Sequence, residues 1–145
     1  MQNPPIRPQP GHFPLSWTRA QLCPGIRLVA VAGELDILTA PVLLAALQRP
    51  ENIGAFHLVI DLVGVDFLAV AGINAMIDVA RRRHRHHTHL IASRTNTAVT
   101  RIIEVTRATE ILTTHPDLEQ CLRLLARSGS DGWRPKRPWV TNRQH

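Results

Sequence analysis

The stretch Phe56-His57-Leu58-Val59-Ile60-Asp61-Leu62 decides the fold. Its apolar residues do not alternate with polar ones, as they would in a strand with one wet face. A near-continuous apolar run of this length fits a central strand covered on both sides, the kind found in a parallel sheet flanked by helices. The sequence on either side supplies those helices. Upstream, Thr39 is a candidate N-cap, Pro41 falls in the first turn, and Leu43, Leu44 and Leu47 form one apolar stripe. Pro50 disfavours helical backbone at Arg49, so this helix stops near Gln48. Downstream, residues 63–70 read as a loop, and residues 72–83 carry Ile73, Met76, Ile77 and Ala80 at helical spacing.

Further out the pattern repeats. Residues 26–32 (IRLVAVA) form a strand, with Gly33-Glu34-Leu35-Asp36 as the loop after it. Residues 15–20 (LSWTRA) alternate as an edge or hairpin strand does, and Pro24-Gly25 makes the turn between them. On the other side come a short strand at 88–93 and a helix at 97–107, with Val99, Ile102, Ile103 and Thr106 inward. A brief strand at Ile111-Leu112 follows. His115-Pro116-Asp117 then opens a helix whose Leu118, Cys121, Leu122 and Leu125 face the core. The order β-β-α-β-α-β-α-β-α implies an α/β domain: a small, mixed, mainly parallel β-sheet with right-handed crossovers and about four α-helices. The leading strand pairs antiparallel with the second. The domain spans 12–127. Residues 1–11 have the composition of a disordered segment. Residues 128–145 form a basic tail containing Pro, with Trp133 and Trp139 either docked or solvated.

Composition agrees. A chain of 145 residues suits one domain with short tails, large enough to bury a core without metal or disulfide. With 4% aromatics and no Tyr, that core is built from Leu, Ile, Val and Ala. The net charge of +6 sits mostly in the tails. Between residues 12 and 127, 12 Arg face 10 Asp and Glu, a balance of +2, which argues against a dedicated nucleic-acid binder. Cys23 and Cys121 match no metal-binding spacing and read as two reduced thiols. No run approaches the ~18 apolar residues of a membrane span, and residues 1–14 lack a signal peptide's apolar centre. The expectation is a cytoplasmic protein.

Three segments occur in a telling order: Val31-Ala32-Gly33-Glu34-Leu35-Asp36 followed by Thr39-Ala40-Pro41; Leu58 to Leu68 (LVIDLVGVDFL); and Ala71-Gly72-Ile73-Asn74-Ala75-Met76. Together they resemble the STAS domain of anti-sigma factor antagonists, over roughly residues 13–127. The resemblance implies a small sheet with packed helices, no catalytic activity and no cofactor. It also implies a partner: an anti-sigma factor, often a serine kinase with an ATP-binding fold, whose capture frees a sigma factor. The kinase switches such antagonists off by phosphorylating a serine at the start of the second long helix. By the same resemblance the partner-binding residues are Glu34, Asp36, Thr39, Ala69, Val70, Ala71, Gly72 and Asn74.

The sequence departs from that pattern at one place. Val70 occupies the serine position and Ala69 the usual aspartate, and no hydroxyl occurs from Val63 to Gly72. No phosphorylation site is expected there. Either the protein is an antagonist that stays competent to bind, or it is a diverged module with another partner. In the bland alternative, Val70 merely extends an apolar patch with Phe67 and Leu68 that the fold buries.

Other candidates are weaker. Four histidines fall in 84–89, beside Arg81, Arg82, Arg83 and Arg85. If the helix continued, His84 and His87 would stand at i, i+3 as metal ligands. A solvated helix C-terminus, where positive charge complements the dipole, accounts for the run better. An alternative function, binding a small ligand, an anionic surface or nucleic acid, would run through Arg81–Arg85 and the basic tail, with weak and salt-sensitive affinity. Asp36, Asp61, Asp66 and Asp78 have no nucleophile, phosphate loop or metal motif beside them, so no enzyme is expected. Asp61 fits a role in satisfying loop amides. His57 fits a structural place at a strand start. Thr39, Asn74 and Thr97 look like helix-start hydrogen-bonding residues.

Overall fold

The apolar run becomes the hub of the sheet. The computed structural model describes residues 15–83, 86–127 and 142–144, with no account of the side chains of Cys23 and 142–144. In chain order the elements are β1 (Ser16–Cys23), β2 (Ile26–Leu35), α1 (Ala40–Leu47), α2 (Pro50–Ile53), β3 (His57–Leu68) and α3 (Val70–Arg82). Then follow β4 (His87–Ile91), α4 (Thr97–Val105), a 3-10 turn at Ala108–Glu110, β5 (Thr113–His115), α5 (Leu118–Arg127) and β6 (Asn142–Gln144). The sheet order is β5-β4-β3-β2-β1-β6. β2 to β5 run parallel, and β1 pairs antiparallel with β2. The expected mainly parallel α/β architecture is what forms.

Two cores sandwich the sheet. On one face Leu58, Ile60, Leu62 and Leu90 pack against Leu43 and Leu47 of α1, Ile73, Met76 and Val79 of α3, and Val99 and Ile103 of α4. On the other, Val59 and Ile91 pack against Cys121, Leu122 and Leu125 of α5. β3 is thus apolar on both sides because both sides are covered.

Several boundaries differ from the sequence expectation, each for a physical reason. The segments 33–36 and 63–70, expected as loops, are mostly strand. With register shifts between Ala30 and Ala32 and between Gly33 and Glu34, the β2–β3 ladder continues through Gly33↔Val65, Glu34↔Phe67 and Leu35↔Leu68. Two glycines permit this. Gly33 takes φ 108°, and a Cβ on Gly64 would lie 2.9 Å from the Ala32 Cβ. α1 ends at Leu47 with Gln48 as its C-cap, as Pro50 led one to expect, but Pro50 also starts a short α2, where its missing N–H costs nothing. The strand expected at 111–112 lies at 113–115. Asn96, not Thr97, caps α4, accepting from the Val99 N–H at 3.2 Å, and Asn74 is an exposed residue inside α3. Asp117 caps α5 through the Gln120 N–H at 2.8 Å. Within the stretch expected as tail, Asn142–Gln144 pairs with β1. Residues 1–11, Trp133 and Trp139 lie outside the described residues.

Candidate functional site

The candidate residues converge where β2 and β3 end side by side. The Ala69 N–H donates to the Leu35 carbonyl at 2.8 Å, which joins the 36–39 loop to the start of α3. This is the carboxyl end of parallel strands, where open α/β sheets place their binding surfaces.

The loop is held from within. Asp36 Oδ1 accepts from the Leu38 N–H at 2.9 Å and the Thr39 N–H at 3.0 Å. The Thr39 hydroxyl donates to the Glu34 carbonyl at 2.8 Å and accepts from the Asp36 N–H at 2.9 Å. Thr39 stands at the N-cap of α1 as expected, but its oxygen is turned back into the loop and makes no cap bond. The consequence is steric. With the polar groups tied down, Ile37 and Leu38 project outward, 74% and 59% exposed.

α3 supplies the other half. Ala69 is its N-cap, with extended backbone and no side-chain cap bond. Val70, the first helical residue, and Phe67 before it are each 49% exposed. Phe67 is therefore not core; Leu68 is, at 2%. The apolar patch around Val70 is open to solvent and not buried by the fold. Gly72 is buried: a Cβ there would lie 2.6 Å from the Leu35 Cγ and 3.0 Å from the Leu68 Cδ1. Of the eight residues expected to bind a partner, Thr39 and Gly72 are enclosed and serve as supports. Glu34, Asp36, Ala69 and Ala71 are partly exposed, and Val70 and Asn74 are exposed. Ile37, Leu38 and Phe67, which are not among those eight, are exposed as well. Apolar side chains in a motif loop invite assignment to the core, and only the polar loop beneath them shows that they face out.

The other candidates separate cleanly. Asp61 Oδ1 accepts from the Val63 N–H at 2.9 Å, the expected use for loop amides, and burial raises its pKa. The basic run does not act as a unit. α3 ends at Arg82, and His87 already belongs to β4, so no helix brings His84 and His87 to i, i+3. His84 and Arg85 lie outside the described residues. Arg83 is 1% exposed. Its guanidinium donates to the carbonyls of Asn52 (2.6 Å), Ile53 (2.9 Å), Ala55 (2.8 Å) and His87 (2.8 Å), and to the Thr88 hydroxyl (3.0 Å). Burial pushes its pKa down to about 10. Cys121 is a free, buried thiol pushed up to about 12 by burial, with help from Asp61. No helix among the described residues is long and apolar enough to cross a membrane.

The family model of the STAS domain matches residues 19–121. The crystal structure of an anti-sigma factor antagonist from Mycobacterium paratuberculosis superposes with a TM-score of 0.70 at 25% identity, covering 77% of this chain and 94% of that one. The anti-sigma factor antagonist SpoIIAA in its unphosphorylated form gives a TM-score of 0.60 at 12% identity, covering 76% and 96%. The murine Solute Carrier 26 family member A9 anion transporter gives 0.56 at 16% identity, covering 81% of this chain but 23% of that one, which shows a shared domain fold alone. No curated protein matches the chain.

Proposed function

The chain belongs to the STAS domain family, and on that premise we propose that it is a non-catalytic regulator that binds an anti-sigma factor of the serine-kinase type and thereby controls sigma-factor-dependent transcription. One observation carries the proposal. The joined ends of β2 and β3 leave Ile37, Leu38, Phe67 and Val70 exposed to solvent, and by the family resemblance Val70 stands where the switch serine would. Exposed apolar side chains grouped on a rigid support favour a protein partner. A valine there cannot carry phosphate, so the partner's kinase activity has no switch to act on, and the antagonist stays competent to bind.

The rival use of Arg81–Arg85 as an anionic-surface site loses its middle member, because Arg83 already donates five hydrogen bonds inside the fold.

The test begins with identification of the anti-sigma factor by pull-down from the native lysate, then calorimetric titration of the purified pair. A carboxylate at position 70 must be desolvated or repelled at a packed apolar interface. Val70→Asp is expected to weaken binding about 100-fold, or ~2.7 kcal/mol, with an unchanged circular dichroism spectrum. Unaltered affinity in a folded Val70→Asp protein would remove the face from consideration.

A further inference from the structure

The α5-facing side of the sheet carries a polar cluster that the partner face does not use. His57 opens β3, His89 lies in β4 and His115 closes β5. Their rings form a chain: His57 Nδ1 is 3.1 Å from His89 Nε2, and His89 Nδ1 is 3.0 Å from His115 Nε2. Cys121 of α5 completes the group. Ligand atoms of His89, His115 and Cys121 all lie within 4.8 Å of one another. The three residues are 4%, 7% and 0% exposed, and their surroundings include Val59, Ile91 and Leu122.

We propose that His89, His115 and Cys121 form a binding site for a divalent transition metal of the zinc type, which fastens α5 to β4 and β5. The donor set is two imidazole nitrogens and one sulfur, the borderline-soft combination that such ions take, with a fourth position left for water. Zinc–nitrogen distances of about 2.0–2.1 Å and zinc–sulfur distances of about 2.3 Å place donors roughly 3.3–3.7 Å apart in a tetrahedron. The cluster needs only small side-chain adjustments to reach that spacing. His57 adds a positioning role. A metal on His89 Nδ1 requires the tautomer with hydrogen on Nε2, and His57 Nδ1 stands at 3.1 Å to accept that hydrogen. Metal-bound histidines are commonly oriented by such an outer acceptor. Binding costs the hydrogen bond between His89 and His115 and expels one proton, from the Cys121 thiol. The ion's own charge stabilises the thiolate so formed.

The site is distinct from the histidines at 84, 86 and 87, and the experiment must separate the two. Full-length protein treated with chelator is titrated with Co2+ alone, whose tetrahedral ligand-field bands and thiolate-to-cobalt charge-transfer band report geometry and sulfur ligation. The expected result is one equivalent of tetrahedral Co2+ with a charge-transfer band that persists in Cys23→Ser. In folded Cys121→Ser the band vanishes, and His115→Gln lowers affinity at least tenfold. His57→Phe is expected to lower it about tenfold. The triple variant His84→Asn, His86→Asn, His87→Asn keeps the full signal. Zn2+ displaces the Co2+ and raises the melting temperature of wild-type protein but not of Cys121→Ser. Where Cys121→Ser does not fold, His115→Gln against the triple variant decides. Absence of the charge-transfer band at stoichiometric Co2+, or binding that follows His84, His86 and His87, overturns the proposal.

Discussion

At its C-terminal end α3 runs into Arg83, a charged side chain enclosed by protein and bonded on every nitrogen. At its N-terminal end it begins with Ala69 and Val70, two small apolar residues with no side-chain cap, facing solvent. Usual expectations about polarity and burial are reversed at both ends. The charged end is architecture: Arg83 closes off carbonyls around α2 that would otherwise be buried without donors. The apolar end is what the outside meets. The difference teaches that residue type indicates a functional surface less well than whether the residue's bonding capacity is already satisfied inside the fold.

The largest expected effect breaks the architectural end. Arg83→Ala leaves the carbonyls of Asn52, Ile53, Ala55 and His87 without their shared donor. A hydrogen bond to a charged group contributes about 1.5–3 kcal/mol and such bonds do not add in full, so a loss of about 3–5 kcal/mol is expected in urea unfolding. Arg83→Lys is expected to recover little of it, because an ammonium cannot reproduce the planar fork that reaches Thr88, α2 and His87 together. A loss below about 1 kcal/mol would mean that Arg83 is an ordinary surface cation, and would restore the basic run as a candidate binding surface.

Next in size is the support under the apolar end. Gly72 lets the first turn of α3 lie on Leu35 and Leu68. Gly72→Ala gains about 1 kcal/mol of helix propensity. Its methyl, however, meets Leu35 below van der Waals distance, and overpacking of that kind costs about 1–3 kcal/mol. A net loss of about 1 kcal/mol is expected in the same unfolding measurement, with weaker partner binding because the helix start is pushed off the strand ends. Comparable in stability but more local, Asp36→Ala removes the acceptor for the Leu38 and Thr39 amides. It is expected to cost about 1 kcal/mol and to speed hydrogen exchange at those two amides, while the amides of α3 keep their protection.

The parts that the sequence made legible are those with local signatures. The doubly covered β3, the hairpin turn at Pro24-Gly25 and the apolar stripe of α5 follow from periodicity and turn chemistry, and all three appear where the pattern put them. What was not legible depends on register between distant segments. Arg83 looks like Arg81 and Arg82 in sequence; only the return of α2, some 30 residues earlier, encloses it. His57, His89, His115 and Cys121 share no spacing, and parallel strands bring them together one from each element. The ends of β2 and β3 were read as loops because Gly33, Gly64 and Asp66 interrupt the pattern, whereas the glycines are what allow the ladder to shift and continue. At the candidate site, the motif residues do not all lie on the surface. Thr39 and Gly72 are inside, and the unmarked Ile37, Leu38 and Phe67 are outside.

The smallest structural change sharpens the comparison most. Val70→Ser restores a hydroxyl at the first position of α3, where Val70 is half exposed and makes no side-chain hydrogen bond to the cap. Stability is expected to stay within about 0.5 kcal/mol of wild type, as for other surface substitutions, and partner affinity within about threefold. The response to the partner's kinase activity is what changes. With the purified anti-sigma factor and magnesium ATP, Val70→Ser is expected to take up one phosphate, seen as a mass increase of the intact protein, and then to release the partner. The phosphate's charge of about −1.5 to −2 is tolerated by the helix N-terminus within the chain but not by an apolar interface pressed on it. Wild-type protein under the same conditions is expected to gain no mass and to stay bound. Phosphate on the wild-type chain would place a switch elsewhere and end the reading of a permanently competent antagonist. A phosphorylated Val70→Ser that still binds would leave the start of α3 as apolar surface without an interface.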